Sequence, residues 1–109
     1  MQISFANRQV RELCELNQAA LRELGQAGAR RLQARLADLE ASSDVRNLVA
    51  GHPHPLQGDR AGQFALDLNG GRRLVFEPDQ VPAPQLAGGG IDWAAVTAIR
   101  IVFIGDYHD

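Results

Sequence analysis

Few side chains in this sequence can move a proton or hold an ion. There are three histidines, His52, His54 and His108, one cysteine, Cys14, and eleven basic residues, all of them arginine. Imidazole titrates near neutrality, with an unperturbed pKa of about 6.5, so each histidine is a candidate acid, base or metal ligand. His52-Pro53-His54 invites a metal reading, yet neither a cysteine nor a close carboxylate completes a ligand set in the sequence, and no metal is expected there. Taken alone, a histidine in a proline-rich loop is a solvated ring more often than a catalyst. Arg72 and Arg73 are consecutive in a strand-like segment, so their side chains must leave opposite faces. Gly88-Gly89-Gly90 precedes no helix start and no Lys-Ser/Thr, which excludes a phosphate-cradling loop. Cys14 falls on an apolar helical stripe and reads as core, and Asp59-Arg60 alone reads as a turn with a local ion pair.

The elements that must position these groups can be read from periodicity. Met1 to Phe5 is a short strand-like start with Ile3 and Phe5 on one face. Val10, Leu13, Cys14, Leu21 and Leu24 fall at helical spacing, with Asn17 interrupting and Gly25 and Gly28 punctuating. A second helix is predicted from Arg30 to Ala41, its buried stripe being Leu32, Leu36 and Leu39. Ser43 is predicted to cap a single turn from Asp44 to Leu48. Gly51 to Pro55 must be an extended loop, because each proline disfavours the helical region for its predecessor. Phe64, Leu66 and Leu68 alternate with polar or small residues as in a half-buried strand. Asn69-Gly70-Gly71 supplies the positive φ of a tight hairpin, and Arg72 to Glu77 returns. Ala98 to Ile104 is apolar apart from Arg100, as in a strand covered on both faces. Helices first and strands second give an α+β class, N-terminal helices packed on a small antiparallel sheet. Residues 78–97, with Pro82, Pro84 and the triple glycine, form a flexible hairpin extension whose returning arm Trp93 pins to the body. One domain is expected over 1–109.

The 109 residues are 45% apolar and contain no run long enough to cross a bilayer. The start runs directly into a charged segment, and the single cysteine forms no internal disulfide, so a cytoplasmic location is expected. The formal net charge of −2 is unevenly spread. From His54 to Phe76, Arg60, Arg72 and Arg73 outnumber Asp59 and Asp67, whereas from Glu77 onward Arg100 alone faces Glu77, Asp79, Asp92, Asp106 and Asp109. Such a distribution permits nucleic-acid binding around the middle of the chain without arguing for it.

Three segments in order carry a family resemblance: His54-Pro55-Leu56-Gln57-Gly58-Asp59-Arg60-Ala61-Gly62-Gln63, then Asn69-Gly70-Gly71-Arg72-Arg73-Leu74-Val75-Phe76, then Gly105-Asp106-Tyr107-His108. Together with Ile3-Ser4-Phe5 and the two-helix start, they resemble the HigB branch of the RelE/ParE toxin superfamily, over nearly the whole chain except residues 78–97. The resemblance implies a RelE-like fold and a metal-independent, cofactor-free endoribonuclease that cuts messenger RNA in the ribosome's decoding site. It also implies a HigA-like helix-turn-helix antitoxin as partner, with operator DNA reached only through that antitoxin and no membrane involved. Mapped residue by residue, the family's catalytic histidines fall on His54 and His108, its terminal acid and tyrosine on Asp106 and Tyr107, and its phosphate-binding arginine on Arg73. Gln57 stands where the family often has lysine, and Arg72 where it often has tryptophan. Losing the lysine removes a cation from the expected site, for which Arg60 or Arg72 would have to compensate.

In that chemistry the RNA 2′-hydroxyl is the nucleophile. One histidine would take its proton, the other would protonate the departing 5′-oxygen, and Arg73 would meet the crowded phosphate. Asp106 would orient a histidine, and Tyr107 would stack on a base or bond the 2′-hydroxyl. Gln57, Arg60 and Arg72 complete the expected RNA-binding set. The competing class is a non-catalytic binder on the same fold, either a target inhibitor like ParE or a degenerate toxin that only binds its antitoxin.

Overall fold

The computed structural model describes residues 1–106; Tyr107, His108 and Asp109 lie outside the described residues. Strand β1 (Gln2–Phe5) is followed by helices α1 (Arg8–Glu15) and α2 (Asn17–Ala41), then strands β2 (His54–Pro55), β3 (Phe64–Asp67), β4 (Arg73–Pro78) and β5 (Ala98–Gly105). The sheet order is β1-β5-β4-β3-β2. The α+β class is as expected, but the sheet is mixed: β1 runs parallel to β5, Ile3 beside Ile99 and Phe5 beside Ile101, while every other pairing is antiparallel. The helices carry the chain away from β1, and the β2–β4 meander returns it so that β5 runs in the same direction as β1 at the sheet edge.

Asn7 starts α1 by accepting the Val10 amide on its side-chain oxygen at 2.9 Å. Within α2, Gly25 takes φ 74° and ψ 176°, a conformation a side chain would resist, and breaks the helix where glycine punctuation was expected. The break turns the preceding segment so that Ala19, Ala20 and Leu24 face inward while Leu21 stays 40% exposed, which corrects the assignment of Leu21 to the buried stripe. Ser42 closes α2, its hydroxyl donating to Asp38 O at 2.9 Å. The following 3₁₀ turn, Val45–Asn47, is capped by Asp44, which accepts the Arg46 amide, and not by Ser43.

Leu32, Leu36 and Leu39 of α2 pack with Val10, Leu13 and Cys14 of α1 against Leu66, Leu74, Phe76, Ile99 and Ile101 of the sheet. Phe64 stacks on Phe76 at 5.5 Å between ring centroids, and Trp93 tilts against Phe64 at 4.8 Å. Trp93 thus joins the returning arm of residues 78–97 to the core, together with fully buried Val96. The outer part of that segment is hydrogen-bonded to itself: Asp92 N donates to Pro84 O, Leu86 N to Gly90 O, and Gln80 Oε1 accepts from Thr97 N. Between this hairpin and β2 runs a cleft of about 420 Å³, lined by Pro55, Leu56, Phe64, Leu86, Ile91 and Trp93 among others. No helix among the described residues is long and apolar enough to cross a membrane.

Candidate active site

Strand alternation sorts the sheet into two faces. Phe64, Leu66, Leu74 and Phe76 turn to the helices, so Ala65, Asp67, Arg73 and Val75 turn to the face the helices leave bare. On β5 the alternation is interrupted. Phe76 pairs with Ile101 but Val75 pairs with Phe103, so Val102 is an extra residue, a β-bulge. Without the bulge, Phe103 would follow Ile99 and Ile101 into the core. With it, Ile104 packs against the core and Phe103 passes to the open face. The expectation that this strand is covered on both faces is therefore corrected: only Ile99 and Ile101 are buried, and Arg100 and Phe103 lie on the open face.

The register now lines up a row across four strands: His54, Ala65, Val75 and Phe103. The next row along holds Asp67, Arg73 and Gly105. Ala65 and Val75 are fully buried and form the floor. The Phe103 ring leans over Gly105, approaching to 3.1 Å where a β-carbon would stand. The Arg60 guanidinium lies 4.9 Å from the centre of that ring, in cation–π range, and Arg60 also donates to Gln63 Oε1 at 3.1 Å.

At the β2 edge the two histidines meet a carboxylate. Gly51 (φ 86°) and His52 (φ 49°) turn the chain, the Asp67 amide donates to Gly51 O at 2.6 Å, and His52 folds back over β3. His52 Nδ1 comes 3.5 Å from Asp67 Oδ2, while Arg73 Nε donates to Asp67 Oδ1 at 3.2 Å. The His52 and His54 rings lie 4.7 Å apart. His54 Nδ1 is 2.7 Å from the His52 carbonyl. Because a carbonyl only accepts, Nδ1 carries the hydrogen, and in the neutral ring the lone pair is on Nε2. The expectation that no close carboxylate accompanies His52 and His54 is thus corrected: Asp67, thirteen residues beyond His54 in sequence, is delivered by strand pairing.

His54, Arg73 and Arg60 therefore share one face. Gln57 is exposed and leads into the 3₁₀ turn Gly58–Arg60, the Arg60 amide donating to its carbonyl at 3.2 Å. Asp106 lies beside the β3–β4 turn, its carboxylate 3.8 Å from a β-carbon position on Gly71. Arg72 is not brought into the group: its guanidinium reaches the helix side, 3.9 Å from a β-carbon position on Gly28. Tyr107 and His108 lie outside the described residues. Sequence reasoning missed Asp67, His52 and Phe103. Asp67 alternates with Leu66 and could have been placed on the open face, but the bulge that exposes Phe103 leaves no sequence signal.

The other end of the same face is an ion-pair cluster. Arg100 is hydrogen-bonded to Glu77 and lies 3.5 Å from Asp79, and the Ser4 hydroxyl donates to Asp79 at 2.8 Å. The hydrogen bond from Arg100 to Glu77, then the carboxylate's charge, raise the pKa of Arg100 above its ordinary value.

Solved structures share this fold. A YoeB/ParE toxin from Agrobacterium tumefaciens superposes with a TM-score of 0.61 at 11% identity, covering 99% of this chain and 100% of its own. YoeB from Staphylococcus aureus, solved both in complex with YefM and as a dimer, superposes with a TM-score of 0.59 at 15% identity, covering 100% of this chain and 98% of its own. No protein-family model matches the sequence, and no curated protein matches it. The chain has the fold of the YoeB/ParE toxins.

Proposed function

We propose that this chain is the toxin of a type II toxin–antitoxin pair, a HigB-like endoribonuclease that cuts messenger RNA on the ribosome and so stops translation. The observation that carries the reading is the gathering of His54, Arg73, Arg60 and Phe103 on the one sheet face that the helices do not cover. His54 and His108 transfer the protons. One takes the proton of the 2′-hydroxyl as the O2′–P bond forms, and the other protonates the 5′-oxygen as its bond to phosphorus breaks, leaving a cyclic phosphate and a free 5′-hydroxyl. His54 suits either task because its Nδ1–H is fixed on the His52 carbonyl, which aims Nε2 away from the backbone. Arg73 meets the developing phosphate charge. Arg60, held against the Phe103 ring, adds a second cation to the same face. Asp106 and Tyr107 orient the second histidine and the RNA, and Gln57 supplies a neutral donor where a cation would bind more strongly.

The YoeB structure in complex with YefM supports an antitoxin for this chain too, and the resemblance to HigB makes that antitoxin a small helix-turn-helix protein. The ribosome and its messenger are the targets, and the cytoplasm is the site of action. Expression without the partner is expected to arrest growth, and co-expression with a DNA-binding protein encoded beside it is expected to restore growth and yield a stable complex on pull-down. A chain tolerated alone, with no binding neighbour, contradicts the toxin reading. One observation favours the non-catalytic binder: Arg73, the proposed phosphate ligand, shares its charge with Asp67. Growth arrest with intact messages would select that reading.

A further inference from the structure

We infer that His52, His54 and Asp67 form a binding site for a transition-metal dication of the zinc type. One ligand atom from each residue lies within 4.8 Å of the corresponding atom of the other two. Tetrahedral zinc, with bonds of about 2.0–2.2 Å, needs its ligand atoms roughly 3.3 Å apart. His52 Nδ1 and Asp67 Oδ2 are already 3.5 Å apart. Closing the remaining gap requires a shift of about 1–1.5 Å to reach that ligand spacing. Small side-chain rotations supply it, because the His52 side chain is 77% exposed.

The surroundings resemble the second layer of a metal site. The His52 carbonyl meets His54 Nδ1, and ligating histidines commonly have one ring nitrogen held in this way while the other coordinates. Asp67 is held through its other oxygen by Arg73, which orients the carboxylate while Oδ2 faces His52. Two imidazoles and one carboxylate select zinc and its neighbours over magnesium and calcium, which prefer all-oxygen sites. Three protein ligands leave a fourth position open to solvent. Cys14 does not compete, being buried in the helix core with its thiol pKa pushed up to about 12. Occupancy would engage His54, so on the proposed function zinc would also inhibit RNA cleavage; that consequence rests on the functional reading, whereas the site itself does not.

Zinc titration of the untagged full chain against a chromophoric chelator tests the site. One equivalent is expected to bind, and His52→Ala and Asp67→Asn are each expected to weaken it by about tenfold or more, since even outer-layer substitutions cost 10–100-fold. Cys14→Ser is expected to bind like the parent, and magnesium is expected not to compete. His52 is exposed and Asp67 half-buried, and matching thermal melts would show that the variants fold. Absence of saturable zinc binding, or equal affinity in parent, His52→Ala and Asp67→Asn, overturns the site. Zinc that binds as expected while RNA cleavage continues unchanged supports the site and counts against proton transfer by His54.

Discussion

The two ends of the open sheet face are built from similar residues to different effect. At the β1 end, Arg100 is gripped by Glu77 and Asp79 across neighbouring strands, with Ser4 bonded to Asp79, and neither histidine of the described residues takes part. At the β2 end, Arg73 meets the carboxylate of Asp67, Arg60 rides on an aromatic ring, and both histidines of the described residues stand at the strand edge. The first is an ion-pair cluster of one arginine and two carboxylates. The second combines proton carriers, cations and a flat apolar surface. An arginine's role is decided by what the neighbouring strands place opposite it.

The sharpest way to break this contrast is to truncate one residue at each end. His54→Ala is expected to lower messenger cleavage by about 100- to 10,000-fold, the usual contribution of a positioned proton-transfer group. Arg100→Ala, on an exposed ion-pair cluster, is expected to change cleavage only marginally and stability by no more than about 1 kcal/mol. Equal losses at both ends would show that the face works as one surface. Gln57→Lys is expected to raise cleavage by about tenfold or more by adding a charge-assisted contact to the phosphate. The expected change in stability is small because Gln57 is exposed. An unchanged cleavage rate would mean that another arginine already fills that role.

Much of the scaffold was legible in the sequence because it rests on periodicity. The alternation through Phe64, Leu66 and Leu68, the Asn69-Gly70-Gly71 turn and the leucine stripe of α2 all depend on neighbours a few residues away. Three features depend on distant partners and were not legible. The parallel pairing of β1 with β5 joins residues more than ninety positions apart. The Val102 bulge decides that Phe103, rather than Val102, accompanies Val75. Asp67 reaches His52 and His54 only because β2 pairs with β3. Arg72 and Arg73 do part to opposite faces as alternation requires, which sets Arg72 on the helix side.

Two stability measurements sharpen the boundary between face and core. Gly28 has no room for a side chain, since an added β-carbon would meet Leu24 Cβ at 2.7 Å and Asn69 Oδ1 at 3.0 Å. Gly28→Ala is therefore expected to destabilise by about 1–3 kcal/mol in denaturant unfolding, as overpacking does. Replacing residues 81–90 with a short turn is expected to leave unfolding cooperative, because Trp93 and Val96 remain to hold the returning arm. A molten product would place the hairpin's outer half among the determinants of the fold.

The smallest effect concerns Cys14. Burial, and then the nearby charge of Glu15, raise its thiol pKa from 9.0 to about 12. Its folded pKa lies above the unfolded value, so its stabilising contribution is complete below pH 9 and is lost as pH rises toward 12. Thiol reagents at neutral pH are expected to modify the folded chain slowly and the unfolded chain quickly, and Cys14→Ala is expected to flatten the alkaline fall in stability.

Mapping the 5′ ends of translated messages after brief induction of the chain, beside the His54→Ala/His108→Ala double variant, tests the central claim most directly. New cuts bearing 5′-hydroxyl ends are expected within reading frames for the parent and none for the double variant, while both remain associated with ribosomes. Intact messages in cells arrested by the parent, or the same cuts from the double variant, would contradict histidine-dependent cleavage at the β2 end of the sheet.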